Sequence, residues 1–278
     1  MVQTFRNVRE VPKGDLRPQI KKPACASCRC VTIWPAMTLL LASVRSTDEA
    51  EAALVLGADI VDLTDARGAL GALNVDTVRA AVQAVKGRRL TSASAGDLPM
   101  EPETLAAAVN VMAATRVQYV KVGLFPDPRR GACVARLGVR TGDTRLIGVL
   151  FADVEPEIGA LPALLARLSV AGFAGAILDT RYKDPGRIMD RIGIPALAAF
   201  GEACRANGLM TGLAGSLAAP DIPRLLPLAP DVLAFRRALR LGGERAAPLD
   251  AAAFHLVRDL IPPAPTEGTG EGAGLAPA

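Results

Sequence analysis

The chain has 278 residues, half of them hydrophobic and only 4% aromatic, which is enough for one domain with a sizeable core. Its formal charge is +4, but residues 1–36 alone hold seven Lys/Arg against two Asp/Glu, a +5 that leaves residues 37–278 at −1. The basic excess therefore belongs to the N-terminal segment, and the body carries no nucleic-acid footprint.

Residues 1–36 show no periodic pattern and read as a disordered extension or a misassigned start, with Met37 standing just before the first strand. The apolar run Val31–Val44 follows basic residues as a signal peptide would, but it is too short to span a membrane. Its second half also reads as the first strand, "TLLLASV" (38–44). A helix over 46–57 follows, with Ser46 as its cap, early acids and a terminal glycine. The pattern then alternates: strand 59–63, helix 74–85, strand 89–95, helix 101–115, strand 118–123 and a short helix near 131–138. It continues with strand 145–152, helix 157–171, strand 175–180, helix 187–206, strand 209–215, helix 219–227, strand 231–235 and helix 249–260. Near-continuous apolar strands alternating with helices imply a parallel sheet covered by helices. Eight such units fit a closed (β/α)8 TIM barrel over residues 37–262 better than an open doubly wound sheet. The Pro/Gly-rich tail 263–278 reads as disordered.

Five cysteines make no disulfide framework, and the odd number fits a reducing cytosol. Cys25, Cys28 and Cys30 form C-x-x-C-x-C, but a zinc site needs a fourth ligand, and the only histidine, His255, lies far off in an apolar helix pattern. No metal is expected.

The chemistry of a barrel sits at the C-terminal ends of its strands. Those ends carry Ser43, Asp62, Thr64, Ser94, Asp97, Lys121, Asp153, Asp179, Lys183, Gly212, Gly215, Ser216, Arg236 and Arg237. Only six of the 32 basic residues are lysines, and Lys121 stands inside the apolar stretch "YVKVGLF". A lone buried ammonium is costly unless it is paired or faces a polar cavity. A lysine among carboxylates suits carbonyl chemistry, with the amine as nucleophile and the acids moving protons. The plainer reading is a structural ion pair of Lys121 with Asp62 or Asp153. Asp97 reads either as a lysine-orienting group or as a cap for the helix near Glu101. The stretch "GLAGSL" (212–217) before a short helix fits a phosphate cradle, which Arg236 would complete.

Several of these stretches, "LLLASVRSTDEAEAALVLGADIVDL", "GALGAL", "SASAGDLPM", "YVKVGLF", "GVLFAD", "ILDT" and "PDVLAFR", together resemble the (5-formylfuran-3-yl)methyl phosphate synthase family over residues 37–262. The resemblance implies a barrel lyase that joins two molecules of glyceraldehyde 3-phosphate, with loss of phosphate and water. The product is a precursor of methanofuran or methylofuran, one-carbon carriers. It further implies no metal or organic cofactor and chemistry through lysines and acids, including an imine. Asp62, Lys121, Asp179 and Lys183 match its active-site positions, and Gly212, Gly215, Ser216 and Arg236 its phosphate-binding region. A cytoplasmic homo-oligomer without nucleic-acid or membrane partners is expected. Two departures stand out. The family reads Asp-x-Lys-(Asp/Asn)-Pro after the second strand, whereas this chain has Asp62-Leu63-Thr64-Asp65-Ala66, and threonine forms no imine. The family's Arg-Gly after the last strand is Arg236-Arg237 here. The alternative is an altered-function or non-catalytic paralogue that binds a phosphorylated sugar or a partner subunit.

Overall fold

The computed structural model describes residues 37–138, 144–155, 158–182 and 186–262. The N-terminal segment, its C-x-x-C-x-C motif, the C-terminal tail and Lys183 lie outside these residues.

Eight parallel strands close into a barrel in sequence order. They are β1 (Leu39–Val44), β2 (Ile60–Leu63), β3 (Leu90–Ser94), β4 (Tyr119–Gly123), β5 (Arg145–Phe151), β6 (Gly175–Asp179), β7 (Met210–Leu213) and β8 (Val232–Phe235). The ring closes where Leu39 to Ala42 of β1 pair with Val232 to Phe235 of β8. The helices between them are α1 (Thr47–Val55), α2 (Val75–Val85), α3 (Pro102–Ala113), α4 (Arg130–Gly138), α5 (Leu161–Val170), α6 (Ile188–Arg191), α7 (Ile194–Ala206), α8 (Ile222–Leu225) and α9 (Ala251–Leu260). The alternating pattern in the sequence thus becomes the expected TIM barrel. The main core is the layer between helices and strands, where Leu40, Val61, Val120, Leu150, Leu178 and Leu233 meet the buried helix faces. His255 is exposed on α9.

The start signal at Ser46 works as read. Ser46 accepts from the Glu49 N–H at 3.1 Å, and the Glu49 carboxylate reaches back to the Arg45 N–H at 2.8 Å, a near relative of the capping box. Two helices differ from expectation. The helix expected over 187–206 is split, because Ile192 is extended and α7 restarts after Gly193 with Pro195 in its first turn. Proline lacks the N–H that an uninterrupted helix would need there. The helix expected over 219–227 is a 3-10 turn (Ala219–Asp221), the four-residue α8 and a second 3-10 turn (Leu226–Leu228). Pro220, Pro223 and Pro227 prevent a regular helix.

Candidate active site

Strand parity builds the centre of the site. Side chains alternate across a strand, so residues two apart share a face. Ser43, Asp62 and Ser92 are register neighbours on β1, β2 and β3, and Ser94 neighbours Lys121 on β4. Asp62 is fully buried and Lys121 nearly so. The Lys121 Nζ lies 2.7 Å from Asp62 Oδ2. Ser43 Oγ donates to the same oxygen at 2.8 Å and Thr64 Oγ1 at 3.1 Å, while Ser92 Oγ donates to Oδ1 at 2.6 Å. Thr64 Oγ1 also lies 3.3 Å from Ser94 Oγ. Burial alone would raise the Asp62 carboxyl, but the Lys121 charge and the hydroxyl donors outweigh it and hold the group below its ordinary value. A buried pair needs this saturation of lone pairs to persist.

Above the pair, a cleft opens at the C-terminal ends of the strands. Lys121, Asp179, Gly215, Ser216, Arg236 and Arg237 line it, as do Arg245 and Leu70. Asp179 ends β6 and accepts from the Thr180 N–H at 2.7 Å. Two donors point to an anion. Ser216 Oγ and Arg236 Nη1 are both buried without a hydrogen-bond partner, and buried polar atoms are seldom left so. Ser216 is held at φ +54°, next to Gly215 at φ +99°. A Cβ at Gly215 would sit 2.8 Å from Ile188 Cβ, so the loop needs glycine there. Burial first, and then the Arg245 charge, bring the Arg236 guanidinium down to about 10.

Gly212 stands apart from this group. It lies within β7, deeper in the barrel, where a Cβ would meet Ile177 Cγ1 at 2.4 Å. It borders a lower apolar cavity that Lys121 and Ser92 also reach. The expected helix N-terminus behind Ser216 is replaced by the broken turns, and the Ala218 N–H is taken by Asp221 Oδ2 at 2.8 Å. The unpartnered donors here are side chains rather than a helix end.

The two ambiguous acids resolve into loop supports. Asp97 accepts from the backbone N–H groups of Ala69 and Leu70 at 2.8 and 3.1 Å, and among the described residues it neither pairs with a lysine nor caps α3. Asp153 accepts from the Arg181 and Tyr182 N–H groups at 2.7 and 2.8 Å. The Lys121 partner is therefore Asp62. Sequence reasoning overlooked Ser92, which strand parity with Ser94 would have found. It also overlooked Arg245, which lies in a loop without periodic signal.

Comparison with known proteins places the chain in context. A family model described as 4-HFC-P synthase matches residues 40–258. A relative from Methylorubrum extorquens, provisionally named (5-formylfuran-3-yl)methyl phosphate synthase, is 46% identical over 80% of this chain and 91% of its own length. The (5-formylfuran-3-yl)methyl phosphate synthase of Methanopyrus kandleri is 32% identical over 80% of this chain and 96% of its own. Among solved structures, the 3-hexulose-6-phosphate synthase of Salmonella typhimurium covers 81% of this chain and 98% of its own at a TM-score of 0.57 and 15% identity. The phosphoribosyl anthranilate isomerase of Thermus thermophilus covers the same shares at 0.56 and 16%. Likeness at that identity concerns the fold alone.

Proposed function

The chain belongs to the 4-HFC-P synthase family, and on that premise we propose that it is a lyase that condenses two molecules of glyceraldehyde 3-phosphate into (5-formylfuran-3-yl)methyl phosphate. The product would serve synthesis of a methanofuran- or methylofuran-type carrier. The atoms balance without an oxidant, since the two trioses lose one phosphoric acid and two waters. One observation carries this reading: the buried Lys121–Asp62 pair and the unpartnered donors Ser216 Oγ and Arg236 Nη1 meet in one cleft.

Ser216 and Arg236, with Gly215 shaping the loop, would hold a substrate phosphate by charge-assisted bonds. Lys121 is held against Asp62 by a short ion pair. Attack on an aldehyde needs a free amine, and this one is engaged by the Asp62 carboxylate at 2.7 Å. Lys121 is therefore suited to stabilise negative charge that develops on a carbonyl oxygen. Asp179 lines the same cleft and is the group for moving protons at carbon. Imine formation then falls to Lys183, four residues further along, since Thr64 has no amine. Gly212, within β7, leaves room for Ile177 beneath the cleft.

The test is turnover of glyceraldehyde 3-phosphate by the full chain, read by furan absorbance and product mass, beside Lys121→Met, Asp179→Asn and Arg236→Met. Each variant is expected to lower kcat/KM at least about a hundredfold. Unchanged turnover in Lys121→Met would overturn the assigned roles. Thr64 favours a second reading, an altered reaction or a non-catalytic binder of a phosphorylated sugar or partner subunit. In that case phosphate-dependent binding survives and no furan forms.

A further inference from the structure

The loop between β2 and α2 folds back over the barrel mouth. Its shape is fixed from several sides. The Asp65 N–H donates to Gly71 O at 2.9 Å, and Asp97 holds the N–H groups of Ala69 and Leu70. Gly68 sits at φ +71°, and a Cβ there would lie 2.0 Å from Asp97 Oδ2. The loop carries Leu70 inward. Leu70 is buried in one apolar cluster with Val149, Phe151, Ile177 and Ala214. A Cβ at Gly123, two residues beyond Lys121, would come 3.0 Å from Leu70 Cδ1. Leu70 thus caps the barrel beside Lys121.

Arg245, from the segment between β8 and α9, ties this loop to the phosphate side of the cleft. Its Nε and Nη2 donate to Ala66 O at 3.3 and 2.9 Å, and Nη2 also donates to Gly68 O at 3.1 Å. Arg245 lines the same cleft as Arg236 and Ser216. Its charge is also the leading electrostatic influence that disfavours a cationic Arg236. Like charges held close in a half-buried cleft repel, and an anion between them reverses the sign of the interaction.

We propose that Arg245 is a phosphate-binding residue, and that a phosphate held between Arg236 and Arg245 fastens the β2–α2 loop, with Leu70, over Lys121. The inference rests on reading Ser216 and Arg236 as the phosphate site and adds the coupling to the loop. Occupancy of one end of the cleft would then exclude water from the other, where the carbonyl chemistry takes place.

Inorganic phosphate is the probe, applied to the full chain by calorimetry and by amide hydrogen exchange at Ala69 and Leu70. Saturating phosphate is expected to slow exchange at these amides at least about tenfold in the parent protein. Arg245→Met is expected to weaken phosphate about tenfold to a hundredfold, in line with loss of a charged hydrogen bond. At saturation it should no longer show the slowing. Arg245→Lys, which keeps a cation without the fork, should bind phosphate at intermediate strength with little loop protection. It also keeps the test available if the methionine variant fails to fold. Phosphate binding that depends on Arg236 but is unchanged in Arg245→Met overturns the inference and leaves the phosphate site standing. Exchange that ignores phosphate in the parent protein overturns the loop coupling. Absence of binding overturns both readings, and since no turnover is involved, loss of the synthase reaction bears on neither.

Discussion

Replacing Asp62 with Asn isolates the charge at the centre of the site while keeping its shape. The asparagine carbonyl can still accept from Ser43, Ser92 or Thr64, so the main loss is the counter-ion of a nearly buried ammonium. Breaking one side of a buried pair costs about 3–5 kcal/mol. For a barrel of this size each kcal/mol moves Tm by about 2–4 °C, so a fall of roughly 10 °C is expected. Urea unfolding at pH 7 supplies the free energy. Adding Lys121→Met to Asp62→Asn removes the stranded charge, so the double variant should be more stable than Asp62→Asn alone. Lys121→Met by itself leaves a buried carboxyl that burial pushes up. A raised carboxyl stabilises below its unfolded value of about 3.9 and loses that contribution as pH rises through the folded value. The parent protein has the opposite sign: the Asp62 contribution is complete above about 3.9 and is lost as pH falls through its depressed value. Lys121→Met should therefore be more stable at pH 5 than at pH 8. A loss below about 1 kcal/mol in Asp62→Asn, or a double variant weaker than the single, would refute this reasoning.

The acid side offers a second test. Burial would raise the Glu49 carboxyl, yet bonds from Arg240 and Arg45 bring it from 4.5 to about 2. Arg240 is fully buried and grips Glu49 through Nη1 and Nη2, both at 2.9 Å. That contribution, about 3 kcal/mol, is complete above pH 4.5 and lost as pH falls toward 2, and Arg240→Met should flatten that stretch of an acid-unfolding curve. Gly215→Ala forces a side chain onto φ +99° and against Ile188. A loss of about 2–3 kcal/mol and weaker phosphate binding are expected, by thermal unfolding and calorimetry. Thr64→Lys restores the family's Asp-x-Lys spacing beside Asp62. It should raise furan formation and yield a borohydride-trapped adduct at position 64, and mass mapping of the reduced protein reads the outcome.

The fold was legible because each strand is an apolar run followed by a helical segment, and a parallel barrel is what eight such units can bury. The proline-rich stretch 219–227 misled the reading because its apolar spacing is helical while Pro220, Pro223 and Pro227 break the hydrogen bonds. Lys121 with Asp62 was legible as an anomaly, a cation in an apolar strand. The choice between Asp62 and Asp153 was not, because it depends on which loops turn inward. Asp153 and Asp97 look identical to catalytic acids in sequence, yet their oxygens are taken by backbone N–H groups. Gly212 matched a cradle by spacing, but strand β7 runs one residue past it to Leu213 and keeps it below the mouth. Arg245 could not be read, since a loop arginine gains meaning only from the carbonyls it reaches.

The most direct test incubates the full chain with glyceraldehyde 3-phosphate, reduces one half with borohydride, and measures product and protein by mass. The account predicts a furan aldehyde phosphate equal to two trioses less one phosphoric acid and two waters. It places any reduced adduct on Lys183 and none on Lys121. An adduct on Lys121 would contradict its role as the fixed partner of Asp62. Absence of the furan, while the Methanopyrus kandleri relative forms it in the same buffer, would contradict the synthase reading itself.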